Sequence, residues 1–386
     1  MYLFITILIM EILVGAEIDL FVPSFPEIQT IFNISTFEVE LLLGINFIGH
    51  CITSLIVGNL GDRFGRKAII IIGLIIFVIG SISCAFAMDY YVLLLGRLLQ
   101  GIGIAGIAVL GYVVIADIYS AEQQQQMLGI LNGAITLGMA FAPVIGSYVS
   151  FLLGWRGNFS ILLALGLICF LLGILFIPKS QVNYNVKISL REYNVIFKSK
   201  KTIYYLIIAI FILQSYWVFI AISPIYYMRD LGVPIQQFGF YQGVMAAICC
   251  IGNFSSSYFL KRFGQKKCLF FGILMLSAFI ISAIILVIYK INDPLIITIV
   301  IQLIAIGIIF PCNILWPLML ETIPNAKGRI TAVAMSGRFI VTAICVQLVS
   351  YFHHGTFLPL AIVMCTTIII TLITCYKLLQ EYKILN

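Results

Sequence analysis

The sequence predicts an all-α integral membrane protein with twelve transmembrane helices, arranged as two pseudo-symmetric halves of six. Three observations support this: the composition, the spacing of apolar runs, and one loop motif that recurs in each half. Of 386 residues, 62% are apolar and 10% are charged, and the mean hydropathy is +1.14. Soluble domains contain about 45–50% apolar and about 25% charged residues. A chain this apolar needs lipid as its solvent.

Twelve apolar runs are each long enough to cross a bilayer, which takes roughly 20 residues. The runs are 2–22, 39–61, 68–87, 91–117, 127–152, 159–177, 202–228, 237–260, 268–289, 294–320, 330–351 and 357–376. A polar, basic segment, 179–201, separates six from six and predicts a cytoplasmic linker between halves 1–178 and 202–386. The first run has no basic segment before it and contains acidic residues, so we interpret it as a membrane helix rather than a signal peptide.

The loops between the runs differ sharply in charge. Seventeen of the 22 Lys and Arg residues lie in one alternate set of loops and termini, three lie in the other set, and Arg97 and Arg338 lie within spans. Cytoplasmic loops carry the excess of basic residues. We therefore expect both termini to be cytoplasmic.

Several function classes are disfavoured. The net charge of +7 is spread over short clusters between apolar runs, which does not fit nucleic-acid binding. None of the ten cysteines forms a C-x-x-C pair, so we expect no metal and no disulfide framework. The sequence also contains no phosphate-binding glycine loop and no nucleophile motif, so we expect no cofactor and no enzymatic activity.

The two halves contain matching loops. Gly61–Lys67 follows the second run and Leu260–Lys266 follows the eighth, 199 residues later. A second, shorter repeat relates Asp117–Tyr119 to Glu321–Ile323 at an offset of 204 residues. Such repeats predict parallel halves that enclose a substrate site near the middle of the bilayer. The second copy has Lys261 where the first has Asp62.

The loop Gly58–Lys67 resembles the motif G-x-L-x-D-R-x-G-R-K of the major facilitator superfamily at every fixed position. The resemblance implies that Asp62, with Arg66, latches the cytoplasmic side against the start of the eleventh span near Gly328–Arg329. A carboxylate is favourable at a helix N-terminus. The alternative is that the basic residues only set topology. The predicted latch residues are Gly58, Asp62, Arg63, Gly65, Arg66 and Lys67.

Two more elements resemble motifs of that superfamily. Arg97 begins R-x-x-Q-G within the fourth span, an element implicated there in proton coupling; the alternative is a structural tether. A buried guanidinium is costly unless paired, so it is a functional candidate. Gly138, Pro143 and Gly146 in the fifth span resemble the antiporter motif G-x-x-x-G-P-x-x-G, with Ala142 in place of one glycine. Ordinary small-residue packing is the alternative there.

The end of the first span resembles the D-x-Y-L-P-x-x-P-x-I element of the bicyclomycin-resistance (Bcr/CflA) branch of drug:proton antiporters. Asp19 begins this element, and Phe21 replaces its tyrosine. Further matches are Ala116–Tyr119, Ala142–Gly146 and Trp155–Arg156. The resemblance covers most of the first half and implies drug export coupled to protons.

Asp19 is the residue that we expect to carry the proton, because a carboxylate withdrawn from water binds a proton more readily. Glu11 lies about 80° away around the helix, so both could face one cavity, whereas Glu17 lies about 200° from Asp19. The alternatives are an ionised Asp19 at the outer interface and a Glu11 that faces another helix. Arg97 would modulate the coupling.

The substrate site is less defined. Tyr216 and Trp217 in the seventh span could line a cavity together with Asp19, or could be aromatic residues that face lipid. Arg338 in the eleventh span could receive an anionic substrate, pair with an acid of the first half, or tether helices.

The predicted function is proton-coupled export of a small organic molecule, a drug or a metabolite, across a bacterial inner membrane by alternating access. Its expected partners are that molecule, protons and lipid, with no nucleic acid, and we expect a monomer. Import or export of one specific metabolite or siderophore is the main alternative. A receptor or scaffold that has lost transport is the third hypothesis.

Overall fold

The computed structural model describes residues 2–118, 121–179, 193–323 and 327–382, and the regular structure in these ranges is helical. The helices are α1 (Tyr2–Asp19), α2 (Phe25–Phe32), α3 (Thr36–Phe64), α4 (Arg66–Ala85), α5 (Tyr90–Ile118), α6 (Ala121–Leu153), α7 (Trp155–Phe176), α8 (Asn194–Phe197), α9 (Lys200–Phe211), α10 (Gln214–Pro224), α11 (Ile235–Phe263), α12 (Gln265–Ile288), α13 (Pro294–Leu320), α14 (Lys327–Phe352) and α15 (Leu358–Tyr382). A 3₁₀ turn covers Val22–Ser24 and a π-helical turn covers Ile225–Asp230.

Eleven spans among the described residues are long and apolar enough to cross a membrane. They correspond to the second to twelfth predicted runs, and α1 corresponds to the first. Since α1 carries Glu11, Glu17 and Asp19 in 18 residues, its composition alone does not mark it as a span. The structure therefore agrees with the predicted all-α fold of membrane-spanning helices.

The chain forms two compact units. One contains 1–188 and 234–243, and the other contains 189–233 and 244–386. In the first unit α5 packs against α3 and α4, and α1 packs against α6. In the second, α12 packs against α13, and α15 packs against α9. The predicted boundaries of the halves stay predictions, and most of the predicted linker lies outside the described residues.

The ends of the spans differ from the predicted runs for local reasons. The first run ends at Asp19 rather than residue 22, because Pro23 and Pro26 start the 3₁₀ turn and α2. A capping box then starts α3: Glu38 N donates to Ser35 Oγ at 3.2 Å, and Ser35 N donates to Glu38 Oε2 at 2.8 Å. The seventh run is not one helix, since it is interrupted between α9 and α10.

The repeated loops have the same backbone. Gly65 joins α3 to α4 with φ +91°, and Gly264 joins α11 to α12 with φ +81°. Side chains rarely adopt this conformation, so glycine is required at both turns. The two positions are 199 residues apart, which is the offset of the motif.

Candidate functional site

A buried ion pair joins α1 to α5 in the first unit. Arg97 Nη1 donates to Glu17 Oε1 at 2.7 Å, and both side chains are fully enclosed. A buried carboxylate and guanidinium compensate each other only when the remaining donors and acceptors also find partners. Neighbouring helices supply several of these partners.

Three polar side chains surround the pair, and Nε and Nη2 of Arg97 are buried with no hydrogen-bond partner among the described residues. Gln100 Oε1 accepts from Arg97 Nη1 at 2.6 Å, and Gln100 Nε2 donates to Ser81 Oγ at 2.9 Å. Asn46 Nδ2 donates to Glu17 Oε1 at 2.9 Å and to the Arg97 carbonyl at 3.1 Å. The network therefore connects α1, α3, α4 and α5.

An aromatic ring also contacts the cation. Arg97 Cζ lies 4.0 Å from the centroid of the Phe21 ring, a favourable cation–π distance. The sequence predicted a function for Arg97 but not its partner Glu17. The sequence contained one signal for this pairing, an acidic residue in another span of the same half. A structural tether between helices, the alternative role of Arg97, is consistent with this geometry.

Three other buried carboxylates have no hydrogen-bond partner among the described residues. They belong to Asp19, the last residue of α1, to Glu11 on the same helix, and to Glu40 near the start of α3. Glu11 sits against α5, where an added Cβ at Gly111 would run into its Oε1. Glu40 was not among the predicted site residues, since it lies at the start of the second apolar run.

The predicted latch loop holds one ion pair of its own. Arg66 Nη1 donates to Asp62 Oδ1 at 2.6 Å, and the Asp62 side chain is 47% exposed. Lys67 Nζ donates to the Ile174 carbonyl at 2.7 Å, which ties the start of α4 to the end of α7. Arg63 Cζ lies 5.3 Å from the ring of its neighbour Phe64. The latch role of these residues stays a prediction.

The glycines of this loop have different roles. An added Cβ at Gly61 would meet Leu110 Cδ2 at 2.8 Å, whereas one at Gly58 would meet no described atom within 4 Å. Close packing of helices therefore explains Gly61 and not Gly58, and the turn explains Gly65.

The glycines of the predicted antiporter motif pack against α1. An added Cβ at Gly138 would lie 2.6 Å from the Ile12 carbonyl oxygen, and one at Gly146 would run into the Leu20 carbonyl. Pro143 lies inside the unbroken helix α6. The motif thus lets α6 approach the helix that carries Glu11 and Asp19.

The candidate residues of the second unit lie on α10 and α14. Tyr216 is buried, and its ring meets that of Trp217 edge-on at 5.5 Å. Tyr226 and Tyr227 are also buried, so these tyrosines do not face lipid. Arg338 Nη2 donates to the Met335 sulfur at 2.9 Å. Asp117 and Tyr119, which carried part of the predicted resemblance, lie where side chains are outside the described residues.

Comparisons with known proteins agree with this architecture. The family model of the Major Facilitator Superfamily matches residues 7–345. A bicyclomycin resistance protein homolog from Haemophilus influenzae is 25% identical over 97% of this chain and 95% of its own. The multidrug resistance protein MdtL of Shewanella oneidensis is 25% identical over 66% of this chain and 65% of its own.

Solved structures show the same fold. The crystal structure of a D-xylose–proton symporter matches with a TM-score of 0.78 at 16% identity, covering 97% of this chain and 96% of the other. The nucleoside transporter NupG matches with a TM-score of 0.73 at 14% identity, covering 98% of each chain. With a family model that spans most of its length, this chain belongs to the Major Facilitator Superfamily and is a membrane transporter rather than an enzyme.

Proposed function

We propose that this transporter exports a small organic molecule across the bacterial inner membrane by alternating access, and that inward movement of protons drives it. The observation that carries the proposal is Asp19, a fully buried carboxylate with no hydrogen-bond donor among the described residues. It lies at the end of α1 and beside the Glu17–Arg97 ion pair.

The environment of Asp19 suits a proton carrier. An enclosed carboxylate without donors is much more stable protonated than ionised, and hydration reverses this preference. A change between an enclosed and a hydrated state would therefore bind and release one proton. Glu17 is less suited to this role, because its carboxylate is already paired with Arg97 at 2.7 Å.

Glu11 is a second candidate on the same helix. Its carboxylate is also buried without a hydrogen-bond partner in the described part of the chain. It lies within electrostatic range of Tyr112 on α5. We place Asp19 first, because α6 packs its glycine motif against the end of α1 and because the resemblance to drug:proton antiporters begins at Asp19.

Alternating access requires a cytoplasmic latch that forms and breaks between states, and we assign this latch to the Gly58–Lys67 loop. The exposed Asp62 carboxylate is held by Arg66 in the same loop and remains accessible to a further partner. The equivalent loop of the second half has Lys261 instead, so the latch would centre on Asp62 alone. In this proposal the chain acts as a monomer with both termini in the cytoplasm.

Export is favoured over import by the relatives. Two of them are named for resistance to bicyclomycin and to multiple drugs. Resistance of this kind fits outward transport, and the glycine motif of α6 resembles that of antiporters.

The test uses inverted membrane vesicles that contain the transporter. After respiration acidifies the lumen, addition of bicyclomycin or ethidium should release protons, which a pH-sensitive dye reports. Asp19→Asn should abolish this release and Asp19→Glu should retain part of it. Asp89→Asn is the control, since Asp89 is an exposed residue that caps α5 by accepting a hydrogen bond from Val92 N.

The opposite outcomes are informative. Proton release by Asp19→Asn equal to that of the unaltered protein would remove Asp19 from the mechanism. In whole cells, accumulation of labelled compound that an uncoupler lowers would show import, and accumulation that an uncoupler raises would show export.

A further inference from the structure

The two arginines within the spans differ in their partners. Arg97 has the Glu17 carboxylate, the Gln100 amide and the Phe21 ring. Arg338 lies eleven residues after the first residue of α14, about 17 Å along the helix. The apolar part of a bilayer is about 30 Å thick, which places Arg338 near its middle.

The contacts of Arg338 leave most of its hydrogen-bonding capacity unused. A guanidinium has five N–H donors, and a thioether is a weak acceptor. Nη2 donates to Met335 Sδ at 2.9 Å, Cζ lies 5.5 Å from the Phe339 ring, and Nε is buried with no partner among the described residues. Among the described residues, the thiol of Cys312 on α13 is a further electrostatic neighbour. A cation in this position needs an anion that these residues do not provide.

The four described acidic residues of the second unit lie at helix ends. Asp230 accepts from Arg229 Nε at 2.9 Å and lies 2.6 Å from His353 Nε2. Asp293 caps α13. The remaining two are Glu381, which pairs with Lys200 at 3.0 Å, and Glu321, which ends α13. These acidic residues therefore lie near the ends of spans, whereas Arg338 lies near the middle of the bilayer.

A second feature adds positive potential beside Arg338. The seventh span is interrupted between α9 and α10, and Gln214, the first residue of α10, donates to the Arg338 carbonyl at 3.1 Å. The same side chain donates to the Ile210 carbonyl at 2.6 Å, which satisfies one acceptor at the end of α9. Thr342 Oγ1 in turn donates to Gln214 Oε1 at 2.8 Å. The positive end of α10 is therefore fixed next to the turn that carries Arg338.

Interrupted helices near the middle of the bilayer are a recurrent feature of transporter substrate sites, and the N-terminus of the second segment can face an anionic group. From this and the unpaired guanidinium, we propose that Arg338 binds an anionic group of the transported molecule, a carboxylate, sulfonate or phosphate. The proposal rests on the proposed transport function and specifies its substrate class. A phospholipid head group is a poor occupant, because head groups lie outside the apolar core.

The experiment measures binding of two xanthene dyes to purified protein by fluorescence anisotropy. Fluorescein carries a carboxylate, and rhodamine 6G has the same ring system with a positive charge. Arg338→Gln removes the charge at similar length, and Arg338→Lys keeps the charge without the paired N–H groups. Arg156→Gln is the control, since Arg156 lies at the start of α7 and donates to the Ala87 carbonyl at 2.6 Å.

The unaltered protein should bind fluorescein, and Arg338→Gln should weaken that binding about tenfold to a hundredfold, the usual effect of losing charged hydrogen bonds. Arg338→Lys should fall between, and binding of rhodamine 6G should change less than twofold. Retained binding of rhodamine 6G also shows that a variant is folded.

Three results would overturn the proposal: no fluorescein binding by the unaltered protein, equal binding by Arg338→Gln, or equal weakening of both dyes. The last result would indicate that Arg338 pairs with a carboxylate of the chain itself. Binding of fluorescein requires neither transport nor a proton gradient, whereas proton release from vesicles on addition of fluorescein requires both and so tests the transport function separately. Either proposal can therefore fail alone.

Discussion

The Glu17–Arg97 network gives the sharpest prediction about stability. Glu17→Gln keeps the shape of the side chain and an oxygen that can still accept from Asn46 and Arg97, and removes only the negative charge. Arg97 is then left as a buried cation with neutral partners. Breaking one side of a buried ion pair costs about 3–5 kcal/mol. The fully enclosed position of both side chains places the expected loss of unfolding free energy in this range.

The compensating variant separates the charge from the packing. Arg97→Met in the Glu17→Gln background removes the buried cation and keeps an unbranched side chain. The double variant should therefore be more stable than the sum of the two single changes predicts, by about 2–3 kcal/mol, within the range of coupling between contacting residues. The measurement is reversible unfolding of the detergent-solubilised protein by titration with a denaturing detergent, followed by helix content.

The exposed pair Lys200–Glu381 is the matched control. Its separation of 3.0 Å is similar, but both groups reach solvent. Removing an exposed ion pair has little effect, so Glu381→Gln should leave the unfolding curve unchanged. Additive single and double variants, or a Glu17→Gln curve that matches the control, would refute the electrostatic account of this network.

The other predictions concern glycines and one acidic residue. Gly138→Ala should lower the unfolding free energy by about 1–3 kcal/mol, because its Cβ would lie 2.6 Å from a backbone oxygen of α1. Gly58→Ala is the control, since no described atom lies within 4 Å of its Cβ. This change should leave the unfolding free energy unchanged or raise it by up to about 1 kcal/mol. Gly65→Ala and Gly264→Ala should each cost about 1–2 kcal/mol because of their positive φ, and a neutral result at either turn would contradict the shared backbone requirement. Burial raises the pKa of Glu27 despite the hydrogen bonds it accepts, so the fold favours its protonated form. That contribution is present below the ordinary value of about 4.3 and is lost as pH rises through the folded-state pKa. Glu27→Gln should therefore raise the melting temperature at pH 7 and not at pH 4, as differential scanning fluorimetry can show.

The elements that sequence predicted best are those fixed by local chemistry. Composition and spacing predicted the spans, because the bilayer demands long apolar helices. The Gly65 turn followed from the motif and recurs at Gly264, since only a residue without a Cβ tolerates that φ. The interruption after Phe211 was missed, as neither proline nor glycine marks it.

The site was predicted less completely because it depends on contacts between helices. A helical wheel separated Glu17 from Asp19 by about 200° and directed attention to Asp19 alone. It could not show that Glu17 faces Arg97 on α5, since packing rather than sequence distance sets that contact. Glu40 was missed for the same reason: an acidic residue near the end of an apolar run is consistent with an interface position until its burial is known.

The two glycine turns also record how the halves diverged. Each copy keeps a glycine with a positive φ after its second helix, while the carboxylate two helical positions before the end of α3 has become a lysine in the other copy. A backbone turn with positive φ requires glycine in every copy of a repeated loop. A charged residue is required only in the copy where its charge has a role. A chimaera with the first loop in both halves should therefore fold without difficulty, and any change in its turnover would report what the second half gained by losing its acid.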